Sequence, residues 1–113
     1  MKKLVYGWDY ISDGSAIVVE GATDVWRLGK GAVAVFGTGW SPEQRNLLSL
    51  LNSALIVFDP EPAALEKAKR LAHELEMAGV KVGLIEDHDK DPGDFSDYEA
   101  AELRRIFIEW KLT

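Results

Sequence analysis

The sequence predicts one α/β domain, an open parallel four-stranded sheet with helices on both faces. Three observations predict it. Four short apolar runs, at 15–20, 32–36, 54–58 and 80–85, alternate with four stretches patterned as helices. The runs are continuously apolar, as expected of strands covered on both sides. Glycine, proline or serine separates most strands from the helices around them. At 113 residues the chain has the size of a single domain, and right-handed crossovers distribute the helices over both faces.

In chain order, residues 1–14 form a lead-in. Leu4, Tyr6, Trp8, Tyr10 and Ile11 suggest a short strand or an extended arm, ending in the turn Asp13-Gly14. The first strand, 15–20, stops at Gly21. A short helix over 22–28 follows, with Asp24 in its first turn, where the helix dipole favours an acid. Val25 and Leu28 share its inner face with Trp26 beside them, and Gly29 caps it. After the second strand and the loop Gly37-Thr38-Gly39, Ser41 and Gln44 form a capping box around Pro42. Leu47, Leu48, Leu50 and Leu51 give that helix its apolar face. The third strand, 54–58, leaves abruptly through Pro60 and Pro62 into a long helix over 62–78. Leu65, Ala68, Leu71, Ala72 and Leu75 line its inner face, and Gly79 closes it. The fourth strand, 80–85, runs into an acidic loop, 86–94. Ser96 and Glu99 then open the last helix, which reaches about Trp110 with Leu103, Ile106, Phe107 and Trp110 on one side.

Apolar residues make up 47% of the chain, which predicts a packed globule rather than disorder. Without cysteine there is no disulfide, thiolate or zinc–sulfur chemistry. The apolar runs fall far short of a membrane span, and the Met1-Lys2-Lys3 start lacks the apolar core of a signal peptide. A cytoplasmic location away from membranes is the expectation. The net charge of −6 argues against a domain that grips nucleic acid through phosphates alone, but a bound divalent cation reverses that local charge logic.

Five acids mark the expected site. In open parallel sheets ligands bind at the carboxyl ends of the strands, where strand order reverses. Glu20 ends the first strand, and Asp59 and Glu61 follow the third. If those two strands are neighbours, the three carboxylates face one crevice, which predicts the order 2-1-3-4. Residues i and i+2 of an extended chain point the same way, so Asp59 and Glu61 can share one hard cation. Magnesium suits such a site, since it keeps several waters and takes one or two carboxylates plus substrate phosphates. Asp91 and Asp94, in the loop after the fourth strand, stand where they can complete it.

The stretch Ile17-Val18-Val19-Glu20-Gly21-Ala22-Thr23-Asp24-Val25 resembles the opening motif of the Toprim domain. Phe36-Gly37-Thr38 resembles the loop after that domain's second strand, and Phe58-Asp59-Pro60-Glu61-Pro62-Ala63 its Asp-x-Asp motif. Lys90-Asp91-Pro92-Gly93-Asp94 is similar to the Asp-Pro segment of bacterial primases and phage primase-like proteins. The likeness covers residues 15–95, with 96–113 as a closing helix. It implies a Toprim, Rossmann-like fold and primase-like phosphoryl transfer on nucleic acid. It further implies Glu20 as general acid or base, magnesium (or manganese in its place) on Asp59 and Glu61, support from Asp91 or Asp94, and close approach at Gly21. The implied partners are nucleic acid or nucleotide phosphates, reached through the metal, and other domains of a primase-like protein. The chain departs from the pattern at Glu61, one methylene longer than aspartate, and at Pro60 and Pro62. It also has no room for a primase zinc-binding domain.

Those departures keep a second reading open, a non-catalytic Toprim scaffold that binds metal or a partner. A receiver-type phosphoacceptor domain fits less well, because Glu20-Gly21 is not an acidic pair. Asp59 and Glu61 also suit a helix N-terminus, and loop 86–94 also reads as a charged surface turn. His88 and His73 read as surface residues, Trp26 and Trp110 as core. Trp40 reads as a packing or contact residue, with base stacking as the rival role. Thr38 either contacts a phosphate or shapes a turn.

Overall fold

The computed structural model describes residues 5–35 and 40–113. Leu4 and the loop from Phe36 to Gly39, including Thr38, lie outside the described residues. Strands β1 (Ser15–Val19), β2 (Ala32–Ala34), β3 (Ser53–Ile56) and β4 (Lys81–Leu84) form one parallel sheet in the order β2-β1-β3-β4. This is the order that the strand-end acids require. Ile17 pairs with Ala32 on one side and Leu55 on the other. Helices α1 (Ala22–Leu28), α2 (Pro42–Leu48), α3 (Pro62–Met77) and α4 (Asp97–Lys111) connect and close the sheet.

The two-residue period of the strands divides the core. Ala16, Val18, Val33, Ala54 and Ile56 pack with Leu48, Leu71 and Leu75 of α2 and α3. Ile17, Val19, Leu55 and Val57 pack on the opposite face with Leu28, Leu103 and Phe107 of α1 and α4. Both faces of β1, β2 and β3 are covered, so these strands are buried at every position and mostly apolar, whereas β4 at the edge is only partly buried. Fully burying a leucine such as Leu71 or Leu75 contributes about 2 kcal/mol.

The edges depend on glycine. Tyr6 exchanges two backbone hydrogen bonds with Ala34, adding an antiparallel bridge to β2. The chain then turns at Gly7, whose φ is +87° and where a Cβ would lie 2.6 Å from the Ala32 carbonyl oxygen. At the other edge, a Cβ on Gly83 would stand 2.9 Å from Leu55 and 3.0 Å from the Trp110 ring. Trp110 can cover β4 only because Gly83 has no side chain.

Three apolar residues depart from the sequence reading: Ile106 of α4 lies at the edge of its apolar face and is exposed, and Trp26 and Leu50 are more so. Trp26 is 68% exposed, because α1 buries the stripe Val25 and Leu28 and Trp26 lies about 100° round the helix from Val25. Leu50 is 72% exposed, because α2 ends at Leu48 and Leu50 lies beyond the helical repeat. Trp40 packs on α3: its indole N–H donates to Glu74 (3.2 Å) and the Arg70 guanidinium lies over its ring.

Candidate functional site

β1 and β3 are neighbours, so their carboxyl ends open side by side and bring Glu20 to Asp59. The Asp59 backbone N–H donates to Glu20 Oε1 at 2.9 Å. This bond ties the two strand ends together and occupies one of the two Glu20 oxygens.

Asp24 is the most buried acid here, 5% exposed. Its Oδ2 accepts the Gly21 N–H at 3.2 Å and its Oδ1 accepts the Gly93 N–H at 2.6 Å. One side chain thus pins both the turn after β1 and the 3-10 turn Pro92–Asp94. A Cβ on Gly93 would lie 2.9 Å from Asp24 Oδ1 and 3.2 Å from Thr23 Oγ1, so only glycine lets the loop come this close. Pro92 is fully buried beneath that loop. Burial raises the Asp24 pKa, the two N–H bonds oppose the rise, and the charges of Asp91 and Glu20 add to it. Its place in the first helical turn is legible in the sequence. Its bond to Gly93, 69 residues away, is not.

Asp59 is the electrostatic centre. Its pKa is raised to about 7, first by burial, then by the charges of Glu20, Asp91 and Asp24, and last by the approach of the Asp91 carboxyl. Among the described residues no lysine or arginine pairs with Glu20, Asp24, Asp59 or Asp91. The cluster is, among the described residues, a set of hard oxygen donors without a counter-cation. Among the described residues no three His, Asp or Glu side chains group closely enough to cage a metal by themselves. Such donors fit a magnesium ion that keeps its waters and takes further oxygens from a phosphate, and do not fit an all-protein calcium cage.

The other two predicted ligands are exposed. Glu61 is exposed at the N-cap of α3, where its side chain makes no capping bond. Asp94 is exposed on the 3-10 turn. His88 is only partly exposed. Its Nε2–H donates to the Phe58 carbonyl, next to Asp59, and its ring meets Phe95 edge-on at 6.5 Å. Its Nδ1 is buried and has no partner. His88 therefore braces the end of β3 and is not a surface residue. Its partner lies 30 residues back, a separation that local sequence patterns do not report.

No family model matches the chain, and neither does any curated protein. Among solved structures, the chain resembles a crystal structure of the Aquifex aeolicus primase comprising zinc-binding and RNA polymerase domains. The TM-score is 0.77 at 32% identity, over 93% of this chain and 29% of that one. The fold is therefore primase-like, and the chain spans less than a third of the protein it resembles.

Proposed function

We propose that this chain is a Toprim-type domain that binds magnesium and supports primase-like phosphoryl transfer on nucleic acid. The observation that carries this reading is the Asp59 carboxyl, held at the switch point between β1 and β3 against Glu20 and Asp91, with its pKa raised to about 7. The likeness to a primase supports it. The chain has no cysteine, so we assign it to the polymerase part of such a protein and not to a zinc-binding part.

Asp59 and Asp91 would hold the ion, with Glu61 and Asp94 within the same loops. Magnesium, when bound, supplies neutralisation of phosphate charge and polarisation of the reacting oxygens. Asp24 positions the site, because both its oxygens are engaged by Gly21 and Gly93 and it keeps the Asp91 loop against Asp59. Glu20 keeps one oxygen on the Asp59 N–H and has the second available to take or give a proton at an attacking or leaving oxygen.

A magnesium titration followed by backbone amide shifts tests this reading. The amides of Glu20, Asp59, Asp91 and Gly93 should move together, and Asp59→Asn should weaken binding at least about tenfold, the loss of one charged ligand. If none of these amides responds at millimolar magnesium, the metal reading fails. Template-dependent nucleotide incorporation, lost in Glu20→Gln while magnesium binding persists, then tests catalysis. A non-catalytic scaffold is the second reading, favoured by the exposed Glu61 and the lack of a ready-made cage among the described residues. Metal binding without turnover would select it.

A further inference from the structure

We infer that the exposed aromatic strip beside β2 is a stacking track for single-stranded nucleic acid, separate from the acidic site. Trp26 is 68% exposed, Tyr10 62% and Tyr6 39%, on a chain whose other three tryptophans, Trp8, Trp40 and Trp110, are partly buried against the core. The Trp26 indole N–H donates to the Tyr6 hydroxyl at 2.8 Å. That bond satisfies the polar handle and fixes the ring while leaving its face open. Lys30 lies over the Tyr10 ring at 5.7 Å and has no carboxylate partner among the described residues.

Two depressions meet at this Tyr10–Lys30 pair. One, of about 180 Å³, lies between Tyr6, Trp26 and Tyr10 over Gly7 and Gly29. The other, of about 410 Å³, lies between the 9–13 loop and α4, over Ile17 and Phe107. The first is too small for a drug-sized ligand and suits one flat ring. A Cβ at Gly29 would meet nothing within 4 Å, so the approach is open.

Flat rings and a single ammonium lining one depression match the chemistry of stacked bases with a phosphate beside them. The neighbouring cations are already engaged. Lys111 pairs with Asp13, Arg27 pairs with Asp97, and Arg104 donates to the Leu28 carbonyl. Among the described residues, Lys30 is the cation left for phosphate. Binding is therefore led by stacking, which is how a chain of net charge −6 can hold a polyanion. The inference rests on the nucleic-acid reading above but does not depend on metal.

The test is a titration of the full chain, in EDTA, with a single-stranded oligothymidylate of about eight nucleotides, a length within the usual footprint of such sites. Amide shifts are expected at Gly7, Tyr10 and Lys30, together with a shift of the Trp26 indole N–H. Tyr10→Ala and Trp26→Ala should each weaken binding about tenfold, the loss of one stacked base, and Trp26→Phe should restore most of it. One phosphate contact predicts a slope of about −0.7 for log affinity against log salt. The inference is overturned if the strip does not shift, if the shifts fall only around Glu20 and Asp91, or if both alanine variants bind like wild type. A slope steeper than about −3 would also overturn it, since that requires several phosphate contacts. Equal shifts from an aromatic peptide in place of the strand would reassign the strip to protein. Failure here with magnesium binding intact leaves the acidic-site reading standing, and the reverse result leaves this one.

Discussion

The two ends of the sheet treat the same residue type in opposite ways. At the amino end Asp13 accepts bonds from Lys111 Nζ (2.6 Å) and the Ser15 N–H (3.1 Å), and its pKa is lowered, chiefly by the Lys111 bond. There Lys81 also donates to the carbonyl of Trp110, near the end of α4, where the helix dipole favours a cation. At the carboxyl end Glu20, Asp24, Asp59 and Asp91 share one pocket of charge, and the pKa values of Asp24 and Asp59 are raised. One end is compensated internally. The other keeps, among the described residues, a charge imbalance that an outside cation would resolve, and this supports the proposed site.

Breaking the frame of the acidic end should give the largest effect. Asp24→Ala removes the acceptor of both the Gly21 and Gly93 N–H groups and releases the Asp91 loop. We expect a loss of about 2–3 kcal/mol in urea unfolding, the usual cost of orphaning partly buried donors. Asp24→Asn, which keeps one acceptor oxygen, should lose less. If Asp24→Ala unfolds like wild type, the acid is not the clamp and the contrast between the two ends is purely electrostatic.

The contrast was only half visible in the sequence. Continuous apolar strands and the positions of Glu20 and Asp59 were enough to give the strand order and to bring those two acids together, because sheet topology follows from local runs and short connections. Bonds that span the chain were out of reach. The grip of Asp24 on Gly93 and of His88 on the Phe58 carbonyl join residues 69 and 30 positions apart, and nothing local encodes them. Trp26 misled for another reason. Size suggests core, but a seven-residue helix has only a narrow buried stripe, and Trp26 falls outside it. Glu61 keeps extended backbone (φ −82°, ψ 147°) as the N-cap of α3 and is exposed, so the i, i+2 argument with Asp59 stays an expectation for the metal titration to test.

The next effect in size is at Asp59, and its sign sharpens the comparison. Its folded pKa, about 7, lies above the ordinary value of 3.8. The proton-linked stability is therefore fully present below the unfolded pKa and is lost as pH rises from about 4 through about 7. Asp24 acts in the same direction. Asp59→Asn should thus stabilise the metal-free protein at pH 8 by about 1 kcal/mol, after allowance for solvent screening of a partly exposed group, and the gain should shrink toward pH 4. Magnesium should invert the order: at ten times its dissociation constant it stabilises wild type by about 1.4 kcal/mol and the variant much less. Thermal melts at pH 5 and pH 8, with and without magnesium, read all four conditions. A wild type that is more stable at pH 8 than at pH 5 without metal would contradict the assignment.

The smallest effect should come from the compensated end, and its pH dependence must run the other way. Asp13 has a lowered folded pKa, so its stabilisation is present above the unfolded value near 3.8 and is lost as pH falls through the folded one. Lys111→Met keeps an unbranched apolar stem and removes the ammonium that pairs with Asp13 and lies over the Phe107 ring. Asp13 is half exposed, so the loss should be about 0.5 kcal/mol at pH 7 and should shrink as pH falls below the unfolded value near 3.8 and through the lowered folded one. It should also fall with salt and be indifferent to magnesium. A response to magnesium equal to that of Asp59→Asn would mean that the ion acts on the protein's overall charge, and the acidic end would lose its claim to be a site.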